Sequence, residues 1–310
     1  MRPVVLFTGG GGAGSEALYR LLEERYEVHF ADADHAAIPR SIPEGRRHVI
    51  PFAGSSWVDG VHALCKKLSA AVLVPGVDEE LPLVSTLAGR LPQLVCVCPS
   101  NAFIALMKDK LRSMNELARM GLSSPRTATI DEVNTFDFPC LVKPRDGRGS
   151  RGVQVLRSAE EVAAYRLMAR RPDDQLVVQE LLAGKEWTVY VSASRLGTLC
   201  SVIPVRVDVK RGITVRAETA YNPAIIEYCV QFHRQFPTPG PYNIQLMEGE
   251  DGSVSTFEVN PRISTTLCLA IAAGADPIAD MMAGRPMDGL KPFEAGLYLQ
   301  RYWSNHIGKV

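Results

Sequence analysis

Apolar residues recur along this chain with two periods. Pro3–Phe7, Ala71–Val74 and Leu94–Cys98 are short continuous apolar runs of strand length, and Val28–Ala31 reads as a second strand with His29 within it. Between them, Leu18, Leu21 and Leu22 mark one helix and Trp57–Leu68 another. Strand and helix in alternation predict a small doubly wound parallel α/β domain. The middle of the chain changes texture. It reads as a helix over Asn101–Met120, strands at Phe138–Pro144 and Val153–Leu156, and an amphipathic helix over Ser158–Arg170. Strands follow at Leu176–Leu182 and Trp187–Ala193. The closing segment predicts helices over Thr265–Ala273 and from Gly274 through Met282, a loop at Pro286–Pro292, a strand over Ala295–Trp303 and a frayed tail around His306.

Alternation is clearest from Pro241 to Ile263, in two runs flanking Asp251-Gly252, a dipeptide suited to a two-residue hairpin turn. That turn sets Gln245 opposite Glu258 and Asn243 opposite Asn260. Asn243, Gln245 and Met247 then share a face with Thr256, Glu258 and Asn260, while Ile244, Leu246, Phe257 and Val259 face a core. Many half-exposed hairpins have such a pattern. One carboxylate beside amide oxygens, with Arg262 following, also suits a magnesium ion that takes its remaining ligands from phosphate and water.

Two glycine-rich segments carry the other candidate chemistry. Gly9, Gly11 and Gly14 follow the first strand with G-x-G-x-x-G spacing, and Asp32 and Asp34 end the second strand, as in a dinucleotide fingerprint. The loop Asp78–Glu80 should share its crevice and either hold a substrate ammonium or begin a helix. The second segment, Arg145–Gly152, is basic and lies between two strands, just after Lys143 ends an apolar run. A loop of this kind either folds over a polyphosphate or forms a charged surface hairpin. Burying the Lys143 charge favours an anionic partner.

Composition narrows the field. The 310 residues carry 34 basic and 34 acidic side chains, so no global field suggests nucleic acid or an anionic membrane. No apolar run approaches a membrane span. Seven cysteines without metal-type clustering suggest a reducing, cytoplasmic setting, with Cys96 and Cys98 as buried thiols.

In this order and spacing the segments resemble the ATP-grasp superfamily, and within it a single ATP-binding repeat of a carbamoyl phosphate synthetase large subunit. The resemblance implies an ATP-grasp fold, part α/β and part α+β, preceded by the small doubly wound domain. The units would be residues 1–100, 101–184 (with the glycine-rich loop) and 185–310 (with the metal site). By motif, Lys110 and Lys143 match nucleotide phosphate lysines, and Gly147, Gly149, Ser150 and Gly152 the loop. Gln179, Glu180 and Leu182 match the adenine hinge, Glu186 the ribose acid, and Met247 a residue under the base. Gln245, Glu258 and Asn260 match metal ligands, and Arg262 an arginine at the acyl phosphate. Val209–Val215 resembles a mobile loop, with Lys210 a further phosphate contact.

The resemblance implies ATP and Mg²⁺ (or Mn²⁺) and a ligase that joins a small-molecule carboxylate to an amine or thiol, with room for a homodimer. One such unit, with no glutaminase or allosteric domain, does not amount to full carbamoyl phosphate synthesis. An NAD(P)-dependent oxidoreductase built on Gly9–Gly14, or a non-catalytic ATP-binding module, is the competing expectation.

Overall fold

The computed structural model describes residues 2–147, 149–283 and 289–302. Strands β1 (Val4–Thr8), β2 (Glu27–Asp32), β3 (Arg47–Val49), β4 (Val72–Val74) and β5 (Val95–Cys96) form a parallel sheet in the order β3-β2-β1-β4-β5. Its helices carry single buried stripes: Leu18 and Leu22 in Ser15–Leu22, and Trp57, Val61 and Cys65 in Trp57–Leu68. The strand order reverses between β1 and β4, where sheets of this kind open a ligand crevice.

A small antiparallel sheet follows: β6 (Thr127–Thr129), β7 (Cys140–Pro144), β8 (Gln154–Leu156) and β9 (Leu176–Glu180), in the order β6-β9-β7-β8. The larger antiparallel sheet contains β10 (Lys185–Ala193), β11 (Leu199–Arg211), β12 (Ile213–Thr219), β13 (Gly240–Glu248), β14 (Val254–Asn260) and β15 (Tyr298–Gln300). Its order is β14-β13-β10-β11-β12-β15. Val5, Phe7 and Phe30 of the parallel sheet share one core with Ile203 and Val205 of β11 and with Leu267 and Ile271 of the helix Leu267–Ala272. The small sheet has its own core around Ile130, Val142, Tyr165 and Val178. Among the described residues no helix is long and apolar enough to cross a membrane.

Four details differ from the sequence reading. Asn101–Met120 is two helices, Asn101–Met107 and Lys110–Arg119, because the Asp109 carboxylate caps the second by accepting from Arg112 N–H. Val209–Val215 is the tip of the β11–β12 hairpin rather than a free loop, turning at Gly212 with φ +73°. The last strand shortens to Tyr298–Gln300, while Trp303, His306 and part of the Pro286–Pro292 loop lie outside the described residues.

The fourth concerns the β13–β14 hairpin. Asn243 pairs with Asn260 and Gln245 with Glu258, but the turn is longer than two residues: Gly249 N–H donates to Ser253 O at 2.9 Å around Glu250–Gly252. Leu246 then falls opposite Thr256, and a bulge at Phe257 restores the register. The bulge turns Thr256 into the core and Phe257 onto the cavity face, reversing the expected sides of those two residues.

Candidate active site

A cavity of about 270 Å³ lies between the small sheet and the β13–β14 end of the large one. Lys110, Lys143, Gly147, Gly149, Ser150, Gln179, Glu180, Leu182, Glu186, Lys210, Gln245, Met247, Glu258, Asn260 and Arg262 all line it. Gly152 does not. It packs on Pro144 and faces a separate groove between β8 and the helix Ala159–Ala169.

Two buried lysines flank the glycine-rich loop. Lys143, 3% exposed on β7, donates to Gln179 Oε1 (2.8 Å) and to Phe257 O (3.3 Å). Burial pulls its ammonium down to about pKa 8, the Glu258 charge opposes that, and Lys110 and Lys210 reinforce it. Gln179 in turn donates to Thr127 Oγ1, so its side chain orients the lysine. Lys110 donates to Gly147 O at 2.8 Å and ties the glycine-rich loop down. The root of that loop is pinned as well: Arg145 makes a two-pronged ion pair with Asp109, at 2.8 and 2.7 Å. Beyond it, Gly149 has φ +66° with open space where a side chain would stand.

On the facing wall, Gln245, Glu258 and Asn260 come together through the hairpin register. Lys210 donates to Glu186 and to Gln245 Oε1, the latter at 3.2 Å, with its ammonium 5.8 Å from the Phe257 ring centroid. Arg262 is ion-paired with Asp78 at 2.8 Å. The sequence reading missed several lining groups: Thr188, Phe257 and the hydroxyl run Ser264–Thr266. That run begins two residues after Arg262, which was its one available signal.

The segments expected to share a crevice, Gly9–Ser15 and Asp78–Glu80, do adjoin, yet neither lines the cavity. Within the first, Gly10 N–H donates to Ala31 O, Gly11 N–H to Asp32 Oδ2 and Gly12 N–H to Gly9 O, which leaves those groups engaged inside the protein. Glu80 is buried, accepts from Thr8 and Trp57, and is raised to about pKa 7 by burial, as befits a core carboxyl. Burial raises the Cys96 thiol to about 11 and the Cys98 thiol to about 12, in keeping with inert thiols.

Comparison with known proteins is consistent with this architecture. The family model "ATP-grasp in the biosynthetic pathway with Ter operon" matches residues 172–292, and "D-ala D-ala ligase C-terminus" matches residues 111–231. The arginine-specific, chloroplastic large chain of carbamoyl phosphate synthase from Oryza sativa subsp. japonica is 27% identical over 298 residues. The match takes in 87% of this chain and 25% of that one. The Clostridium beijerinckii large chain is 26% identical over 217 residues, 64% of this chain and 20% of the relative. The chain thus spans about a quarter or less of the curated relatives it matches. Among solved structures, the biotin carboxylase domain of Hydrogenobacter thermophilus 2-oxoglutarate carboxylase, in complex with MgADP, ADP and bicarbonate, superposes with TM-score 0.71. It is 14% identical and covers 95% of this chain and 73% of that one. The chain is thus similar in sequence to the ATP-grasp and D-ala D-ala ligase family models and to part of a carbamoyl phosphate synthase large chain, and it shares the fold of the Hydrogenobacter domain.

Proposed function

We propose that this chain is an ATP-dependent ligase that activates a carboxylate as an acyl phosphate and couples it to an amine. The carrying observation is the convergence of two buried lysines and a glycine-rich loop on one wall with Glu258, Gln245, Asn260 and Arg262 on the other.

A carboxylate oxygen attacks the γ-phosphorus, the bond to the β–γ bridging oxygen breaks, and ADP leaves with the electron pair. The amine then adds to the acyl carbon, inorganic phosphate departs, and the amine proton is released. Such chemistry asks for position and charge neutralisation and needs no side-chain nucleophile. Lys110 and Lys143 hold the phosphates, and Gln179 keeps the Lys143 ammonium aimed at them. Arg262 faces the charge that develops on the acyl phosphate. Gly147, Gly149 and Ser150 of the glycine-rich loop, with the β11–β12 tip, close over the reacting atoms and exclude water.

Among the described residues no cluster of His, Cys, Asp or Glu would hold a metal ion by itself. Glu258 with the amide oxygens of Gln245 and Asn260 fits instead a hard divalent cation that draws its other ligands from phosphate and water. A bound Mg²⁺ would supply charge neutralisation at the phosphates. The MgADP held by the Hydrogenobacter domain supports the same choice.

The test is ADP release in Mg²⁺ with a panel of carboxylates and amines. Glu258→Ala should reduce it by about two orders of magnitude or more. Unchanged release in that variant would remove the metal assignment, and MgATP binding with no ADP release on any substrate would make the chain a non-catalytic module.

A further inference from the structure

Asp78 sits in the loop after β4 and Arg262 just beyond β14, far apart in sequence and in contact only through the fold. Their side chains are 14% and 13% exposed, and Nη2 of Arg262 lies 2.8 Å from Oδ2 of Asp78. The contact is ionic and poorly directed. Oδ2 of Asp78 and Nε of Arg262 are both buried without a hydrogen-bond partner among the described residues. The remaining neighbours are otherwise engaged. Lys108 donates to the Asp78 backbone carbonyl at 2.9 Å, Arg262 Nη1 donates to Ile263 O, and Glu80 is held by Thr8 and Trp57. A purely structural strut would saturate both groups with a two-pronged pairing, as Arg145 and Asp109 do.

Arg262 borders the proposed nucleotide cavity, and Asp78, its ion-pair partner, does not line it. A substrate carboxylate that takes Nη2 of Arg262 must open this pair. A simple carboxylate would then leave Asp78 buried and uncompensated, which is strongly unfavourable. A zwitterion avoids that penalty because it brings its own cation.

Resting on the ligase reading above, we propose that the carboxylate activated here belongs to an α-amino acid. Its carboxylate binds Arg262 and its ammonium binds Asp78, inserted between the two. Asp78 is then the specificity residue, rejecting des-amino acids through the charge they would strand.

The experiment titrates the full chain, loaded with MgATP, with the proteinogenic amino acids and with des-amino counterparts such as propionate for alanine, 3-phenylpropionate for phenylalanine and glutarate for glutamate. Calorimetry and ADP release are both read. At least one amino acid should bind at least about tenfold more tightly than its des-amino partner. Asp78→Asn, nearly isosteric, should lose most of that ratio and Asp78→Glu should recover part of it, with MgATP affinity unchanged in both. Equal use of des-amino acids by the wild type, or a ratio that Asp78→Asn leaves intact, overturns the proposal. If Asp78→Asn does not fold, the wild-type ratio alone decides. MgATP binding is measured separately, so its failure in the wild type would count against the ligase reading, whereas normal MgATP binding without amino-acid preference counts against this inference alone.

Discussion

The chain carries two glycine-rich segments of similar composition, Gly9–Gly14 and Gly147–Gly152, and the fold uses them in opposite ways. In the first, the N–H groups of Gly10, Gly11 and Gly12 are engaged by Ala31, Asp32 and Gly9, and the Arg301 guanidinium takes the Ala13 carbonyl together with that of Thr265. A side chain at Gly9 would meet Val77 Cγ2 at 2.7 Å. The second loop stands over the cavity with Lys110 bonded to its root and open space at Gly149. The first is packing material beside the parallel sheet, and the second lines the cavity, where the proposed ligase chemistry makes it a cover for phosphate. Glycine spacing alone does not separate the two. What separates them is that the first loop's donors are engaged inside the protein, whereas lysines stand beside the second at the cavity.

The contrast can be broken most forcefully at Lys143. Lys143→Met preserves the buried stem and removes the charge, and ADP release should fall by about a hundredfold or more. A loss of only a few-fold would mean that this wall does not face phosphate. The same residue predicts a pH effect. Its pKa in the free protein is about 8, below the ordinary 10.5, and a bound polyphosphate raises it again. Affinity for MgATP should therefore be flat below pH 8 and weaken above it, by about tenfold between pH 7 and pH 9, with net proton uptake on binding. Lys143→Met should abolish that dependence, which titrations in buffers of different ionisation enthalpy would reveal.

Smaller effects sharpen the comparison between the glycines themselves. Gly149→Ala places a side chain at positive φ in open space, so turnover should drop several-fold, with about 1 kcal/mol of stability lost to backbone strain alone. Gly9→Ala combines positive φ with a clash and should cost about 2 kcal/mol of stability while the folded fraction still binds MgATP. Thermal melts and steady-state rates on the pair would expose any exchange of these phenotypes.

Much of this was legible in the sequence. The parallel domain could be read because its strands and helices alternate; the pairing of Gln245 with Glu258, read from a two-residue turn at Asp251-Gly252, holds because the longer turn and the bulge offset each other. The bulge at Phe257 was not legible, since a longer turn and a compensating insertion leave the outer pairs unchanged. Nor was the break at Lys108-Asp109: an apolar helical period runs through it, and the Asp109 cap wins locally. The Asp78–Arg262 contact depends on how the parallel and large antiparallel sheets meet, and no local pattern encodes that.

The central claim is that a nucleotide meets the second glycine loop and the β13–β14 hairpin, leaving the first loop untouched. Hydrogen–deuterium exchange with and without Mg²⁺ and a non-hydrolysable ATP analogue tests it directly. The account predicts added protection over residues 145–153 and 254–262, with residues 9–15 unchanged. Protection confined to residues 9–15, or absent from 145–153, would contradict it.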